Sequence, residues 1–74
     1  MKIYAVGSVP MQISGADFYQ SEAKAIAAIA RIADERRYRP GVYVLTDTPT
    51  EFSYTIGWEE SRVTFAIKEI QVRD

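Results

Sequence analysis

One segment, Ser21 to Arg37, carries helical periodicity, and it dictates what the rest of the chain must build around it. Ser21 is a good N-cap, because its hydroxyl accepts from an orphan amide of the first turn. Glu22 follows, where the helix dipole favours a negative charge. Ala23, Ala25, Ala27, Ala28, Ala30 and Ala33 give high intrinsic propensity. Ile26, Ile29, Ala30 and Ala33 keep i, i+3, i+4, i+7 spacing and are expected to form the core stripe. Ile32, Ala25 and Ala28 make an apolar shoulder beside it, and Lys24, Arg31 and Glu35 lie opposite. Arg36 and Arg37 complement the negative helix end, and Pro40-Gly41 stops the helix.

The remaining segments read as strands or connections. Lys2 to Val9 alternates, with Ile3 and Ala5 on one face and Tyr4 and Val6 on the other. Pro10 ends it, since proline cannot donate to a ladder. Met11 to Gln20 reads as a loop, with or without a short extended stretch, and Phe18 and Tyr19 are expected to pack under the helix. Gly41 to Thr48 is a strand with Val42 and Val44 facing one way and Tyr43 and Leu45 the other. Asp47-Thr48-Pro49 turns into Glu51 to Trp58, where Phe52, Tyr54, Ile56 and Trp58 alternate with Ser53, Thr55 and Gly57. Glu59-Glu60-Ser61 is a hairpin connection to Arg62–Val72. In that last strand Val63, Phe65 and Ile67 keep one parity, and Ile70 and Val72 keep the other. The change predicts a bulge or bend near Lys68-Glu69, or a strand that ends there.

The expected fold is therefore α+β: two layers, one Ala-rich helix on an antiparallel sheet of about four strands, in the order β-α-β-β-β, with residues 1–74 as a single compact domain. The last three strands form a meander, and the place of the first strand is left open. One helix covers only one face of the sheet. If Val42 and Val44 face the helix, Tyr4, Tyr43 and Leu45 are expected on the open face.

Composition narrows the functional classes. The chain has 74 residues, no Cys and no His, and a net charge of -1. Thiol nucleophiles, Cys-rich zinc sites, His general bases and a Ser-His-Asp triad are absent. No run has the spacing of a calcium loop, and Val6-Gly7-Ser8 is a lone glycine rather than a phosphate-binding loop. No metal, no cofactor and no catalytic residue is assigned, and the expectation is a protein that is not an enzyme. The longest apolar stretch, Ala25 to Ala30, is far below the ~20 residues of a membrane span. Met1 to Val9 is too short and too broken for a signal-peptide core, so a cytoplasmic location is expected. Net charge near zero disfavours nucleic acid as partner, which usually demands a basic excess.

Three constellations can carry a binding role. Arg36-Arg37-Tyr38-Arg39 holds three of the nine positive charges, and Arg forks read carboxylate or phosphate while Tyr adds a stacking face. A well-charged helix end with Tyr38 tucked into the core explains the same residues. Glu59-Glu60, expected beside Asp47 and Glu51, is an acidic contact for a basic partner or a solvated turn. The aromatic set includes Tyr43, a candidate on the open face and of the type that anchors interfaces. The candidate partner-binding residues are thus Arg36, Arg37, Tyr38, Arg39, Tyr43, Glu59 and Glu60. The partner is expected to be a protein. A nucleic-acid domain using the Arg36–Arg39 cluster and a homo-oligomer, such as a homodimer, are the alternatives.

A small Cys-free chain beginning Met1-Lys2-Ile3-Tyr4, with an Ala-rich helix from Ser21-Glu22-Ala23-Lys24 to Ala33 and then a meander, resembles small phage-encoded proteins, anti-CRISPR proteins among them. The resemblance is one of size and element order over most of the chain. It implies an inhibitor that docks on a CRISPR effector surface in the host cytoplasm and blocks it stoichiometrically. Members of that kind tend to be strongly acidic or to carry local charge clusters, and this chain has the clusters.

Overall fold

The computed structural model describes residues 1–10, 15–57 and 62–73. Strand β1 is Lys2–Ser8, β2 Asp17–Tyr19, β3 Val42–Thr48, β4 Glu51–Ile56 and β5 Arg62–Gln71, with helix α1, Glu22–Arg37, between β2 and β3. The class is α+β, with the helix packed on one antiparallel sheet. The sheet has five strands in the order β2-β1-β5-β4-β3. The extra strand comes from the segment read as a loop: Asp17–Tyr19 pairs with β1, Tyr4 facing Tyr19 and Ala5 facing Phe18. Three residues are too few for alternation to announce a strand.

The helix begins as its sequence dictates. Ser21 is extended, and its Oγ accepts from the Lys24 amide at 3.2 Å. Arg36 and Arg37 occupy the last turn, Tyr38 caps it, and Gly41 follows with a φ of 82° that favours glycine. The buried face differs from the expected stripe. Ala25, Ala28, Ile29 and Ala33 are buried and Ile32 is partly so, whereas Ile26 is only half-buried and Ala30 is exposed. The true stripe keeps Ile29 and Ala33 from the expected one and takes Ala25 and Ala28 from the shoulder. Its small alanines let the helix axis approach a sheet that supplies the bulk, chiefly Phe52, Tyr54 and Phe65, with Val6 and Tyr4 beside them. Phe52 and Ile29 are essentially inaccessible, and the Phe52 and Tyr54 rings lie 5.8 Å apart.

Strand β5 is the spine of the sheet. Arg62–Ala66 pairs with β4 and Phe65–Gln71 with β1, in a register unbroken from Lys2 facing Gln71 to Ser8 facing Phe65. The bulge expected near Lys68-Glu69 is absent. The parity change has another cause: Val63, Phe65 and Ile67 pack on the core, while Ile70 faces Ile3 on the opposite face. The irregularity lies instead in β3, between Val44 and Thr46, and makes Leu45 the extra residue.

Two further aromatic expectations change. Tyr4 shares a face with Val6 and packs on the core, so it does not lie on the open face. Phe18 and Tyr19 are split by strand alternation: Tyr19 packs on the core and Phe18 stays exposed. Val42 packs on the core and Tyr43 points to the other face, as expected. Among the described residues, no helix is long and apolar enough to cross a membrane.

Candidate functional site

The Arg36–Arg39 cluster divides into two halves. Helical periodicity carries Arg36 on from Ile29, Ile32 and Ala33, so its side chain lies over the sheet. Its Nη1 donates to the Tyr54 phenol oxygen at 2.7 Å, and its guanidinium carbon stands 4.7 Å from the Phe65 ring centroid and 5.9 Å from that of Tyr54. Arg37 reaches β3, with Nη2 3.2 Å from Asp47 Oδ2, and its Nε lies 3.7 Å from Asp34 Oδ1. Neither Nε has a hydrogen-bond partner among the described residues. Both arginines thus fasten the helix end to the sheet. Tyr38 and Arg39 point away from it, and Tyr38, 82% exposed, is not tucked into the core.

Strand β3, which follows directly, is the last strand of the sheet. It carries Tyr43 at 62% exposure, Val44 at 41% and Leu45 at 53%. Tyr43 is braced from below: a Cβ added at Gly57 would lie 2.7 Å from its Cε2. The missing side chain at Gly57 is what lets the ring lie across β4, leaving its outer face to solvent. On the same sheet face Arg62 Nη2 donates to Ser53 Oγ at 3.2 Å and to Thr46 Oγ1 at 3.5 Å, which seals Ser53 completely.

The ladder shows which backbone groups of β3 are free. The Gly57 amide donates to the Gly41 carbonyl at 2.7 Å, so these two form a hydrogen-bonded pair. Alternation makes Tyr43 and Thr55 the next such pair and turns the amides and carbonyls of Val42 and Val44 outward. The Val42 amide is taken by the Arg39 carbonyl at 3.2 Å. Among the described residues no further strand lies beside β3, and Val44, like Asp47 beyond the irregularity, keeps both of its groups directed outward.

Glu59 and Glu60 lie outside the described residues. Asp47 and Glu51, their expected neighbours, stand at the β3–β4 turn, at the far end of β4 from Gly57. Among the described residues, no group of three or more His, Cys, Asp or Glu is close enough to hold a metal ion. A shallow cleft of about 270 Å³ runs between Ile26, Ala30 and Ala33 of α1 and Asp47, Thr48 and Pro49.

Sequence reasoning brought Tyr38, Arg39 and Tyr43 forward and set Leu45 on the open face, but passed over Val44 and Arg62. A strand's apolar alternation looks alike at the centre and the edge of a sheet, so nothing local marked Val44 as an edge residue. No protein-family model matches the chain, and no curated protein or solved structure matches it significantly.

Proposed function

We propose that this chain is a small non-enzymatic protein-binding module, and that it acts as a phage-type inhibitor docking stoichiometrically on a CRISPR effector complex. The observation that carries the binding role is the run of exposed side chains from the helix end into the free edge: Tyr38, Arg39, Tyr43, Val44 and Leu45. Aromatic and arginine anchors dominate interface energetics, and a row of them on one short segment is costly to leave in water without a use. Size and element order support the narrower reading, because they resemble small phage-encoded inhibitors.

The split of the arginine cluster favours a protein over nucleic acid as partner. With Arg36 and Arg37 committed to Tyr54, Phe65 and Asp47, Arg39 is the exposed member of the group. A backbone-tracking surface needs several free cations.

The test is a tagged capture from bacterial lysate containing a CRISPR effector, run with and without nuclease. A stoichiometric effector complex retained after nuclease is the expected result. Recovery that disappears with nuclease, or a lysate whose effector passes unbound, would overturn the reading.

A further inference from the structure

We infer that the free edge of β3 pairs antiparallel with the same edge of a second copy, with Val44 on the two-fold axis. The inference goes beyond the docking role but uses the same edge, so partner capture would draw on the separated chains.

Val44 and Asp47, opposite Tyr54 and Phe52, keep both amide and carbonyl directed outward, whereas the Val42 amide is spent on Arg39, and Val44 is the one of the two flanked by exposed Tyr43 and Leu45. Two such residues brought together about a two-fold exchange both hydrogen bonds and form a hydrogen-bonded antiparallel pair. This register sets Tyr43 of each copy opposite Leu45 of the other. The three large exposed side chains of β3 are then covered together: Val44 by its own copy, and Tyr43 by Leu45.

Charge selects the direction. Arg39 precedes the paired stretch, and Asp47, half-exposed beside Arg37, follows it. Antiparallel order brings Arg39 of each copy toward Asp47 of the other, whereas parallel order sets like charge beside like. The irregularity after Val44 confines pairing to a short stretch, which limits the contact to two chains rather than an open array.

The chain contains no cysteine, so a single introduced thiol reports cleanly. A hydrogen-bonded antiparallel pair holds its Cα atoms about 5.5 Å apart, within disulfide range. Val44→Cys is expected to give a covalent dimer under mild oxidation, and Tyr43→Cys is not, because its facing residue is Leu45. Sedimentation equilibrium of the wild-type chain from low micromolar to sub-millimolar concentration is expected to show a monomer–dimer equilibrium. Val44→Pro removes only an outward amide and is expected to weaken association about tenfold or more with an unchanged circular dichroism spectrum. Should that variant misfold, Leu45→Glu on the exposed edge gives the same reading, because it sets a carboxylate against Tyr43 of the other copy in place of an apolar contact.

A wild-type chain that stays monomeric throughout, with no Val44→Cys cross-link, would overturn the proposal and leave the edge for a foreign strand. Preferred cross-linking through Tyr43→Cys would overturn the register. A monomer that still captures an effector complex would sink this inference alone. A dimer that captures nothing would sink the docking reading alone.

Discussion

Arg36, at the end of α1, donates from Nη1 to the phenol oxygen of Tyr54 on β4 at 2.7 Å. The phenol ring is buried and the guanidinium half-buried, and Phe65 lies beneath the cation. The bond therefore joins the last helical turn to β4, the neighbour of the edge strand. Hydrogen bonds to charged groups contribute about 1.5–3 kcal/mol. Tyr54→Phe removes the acceptor and keeps the ring, and a loss of about that size is expected in urea denaturation. Arg36→Met should cost a similar amount. In a double-mutant cycle the pair should cost clearly less than the sum, and strict additivity would show that the two residues are not coupled.

The alanine face of α1 gives a sharper test of packing. Ala25 and Ala33 are almost fully buried against the sheet, whereas Ala30 is exposed one turn away. Ala25→Leu and Ala33→Leu push extra methylenes into a filled space, at an expected cost of about 1–3 kcal/mol each. Ala30→Leu lies on the outer side and should change stability by no more than about 0.5 kcal/mol. Equal costs at positions 30 and 33 would mean that the buried stripe is the one that periodicity alone suggests.

Lys2 and Glu69 pair at 3.0 Å across β1 and β5, both roughly half-exposed. The hydrogen bond to the Glu69 carboxylate, and then its charge, raise the Lys2 ammonium above its ordinary range. A cation whose pKa rises on folding lends stability below its ordinary value and loses it as pH climbs through the raised one. Lys2→Met should therefore shift the urea midpoint slightly at neutral pH and low salt. The difference should vanish in strongly alkaline solution and in molar salt, because an exposed pair is screened. A difference that persists in molar salt would point to packing of the lysine stem instead.

The legible part of this fold was what local pattern dictates. The Ser21 cap, the helix span, the meander and the outward turn of Tyr43 all follow from caps, periodicity and alternation over several residues. Other features were less legible, each for a physical reason. The α1 stripe is legible at Ile29 and Ala33 but not at Ala25 and Ala28, because seven-residue spacing fits both Ile26–Ala33 and Ala25–Ile32 and the bulk of Phe52 and Tyr54 decides how far the helix is rotated. The parity change in β5 looked like a bulge because apolar residues occupy both sheet faces, Val63, Phe65 and Ile67 on the core and Ile70 with Ile3 on the other side. At the site, Arg36 and Arg37 read like the exposed Arg39, because a charge run does not reveal where an aromatic ring or Asp47 waits in space.

That division of the arginine cluster decides how the docking surface should be probed. Reversing Arg36 or Arg37 would strip the helix of its contacts with Tyr54 and Asp47, and lost binding would then report lost folding. Tyr38 and Arg39 can be changed without that penalty, since both point into solvent. Tyr43 is intermediate: it is exposed but lies across Gly57, so truncation removes a brace as well as an anchor. If the exposed run is the docking surface, Tyr38→Ala and Tyr43→Ala should each weaken capture of the effector complex by roughly 2 kcal/mol or more, the range of interface anchors. Arg39→Glu should slow association and flatten its response to salt in surface plasmon resonance, because the rim charge that steers the partner is lost. Thermal melts should place Tyr38→Ala and Arg39→Glu within about 0.5 kcal/mol of the parent. Unchanged binding in a Tyr38→Ala, Tyr43→Ala double variant with an intact melt would move the docking surface elsewhere. The cleft bounded by Ile26, Ala30 and Pro49 on the opposite side of β3 would then be the next place to look.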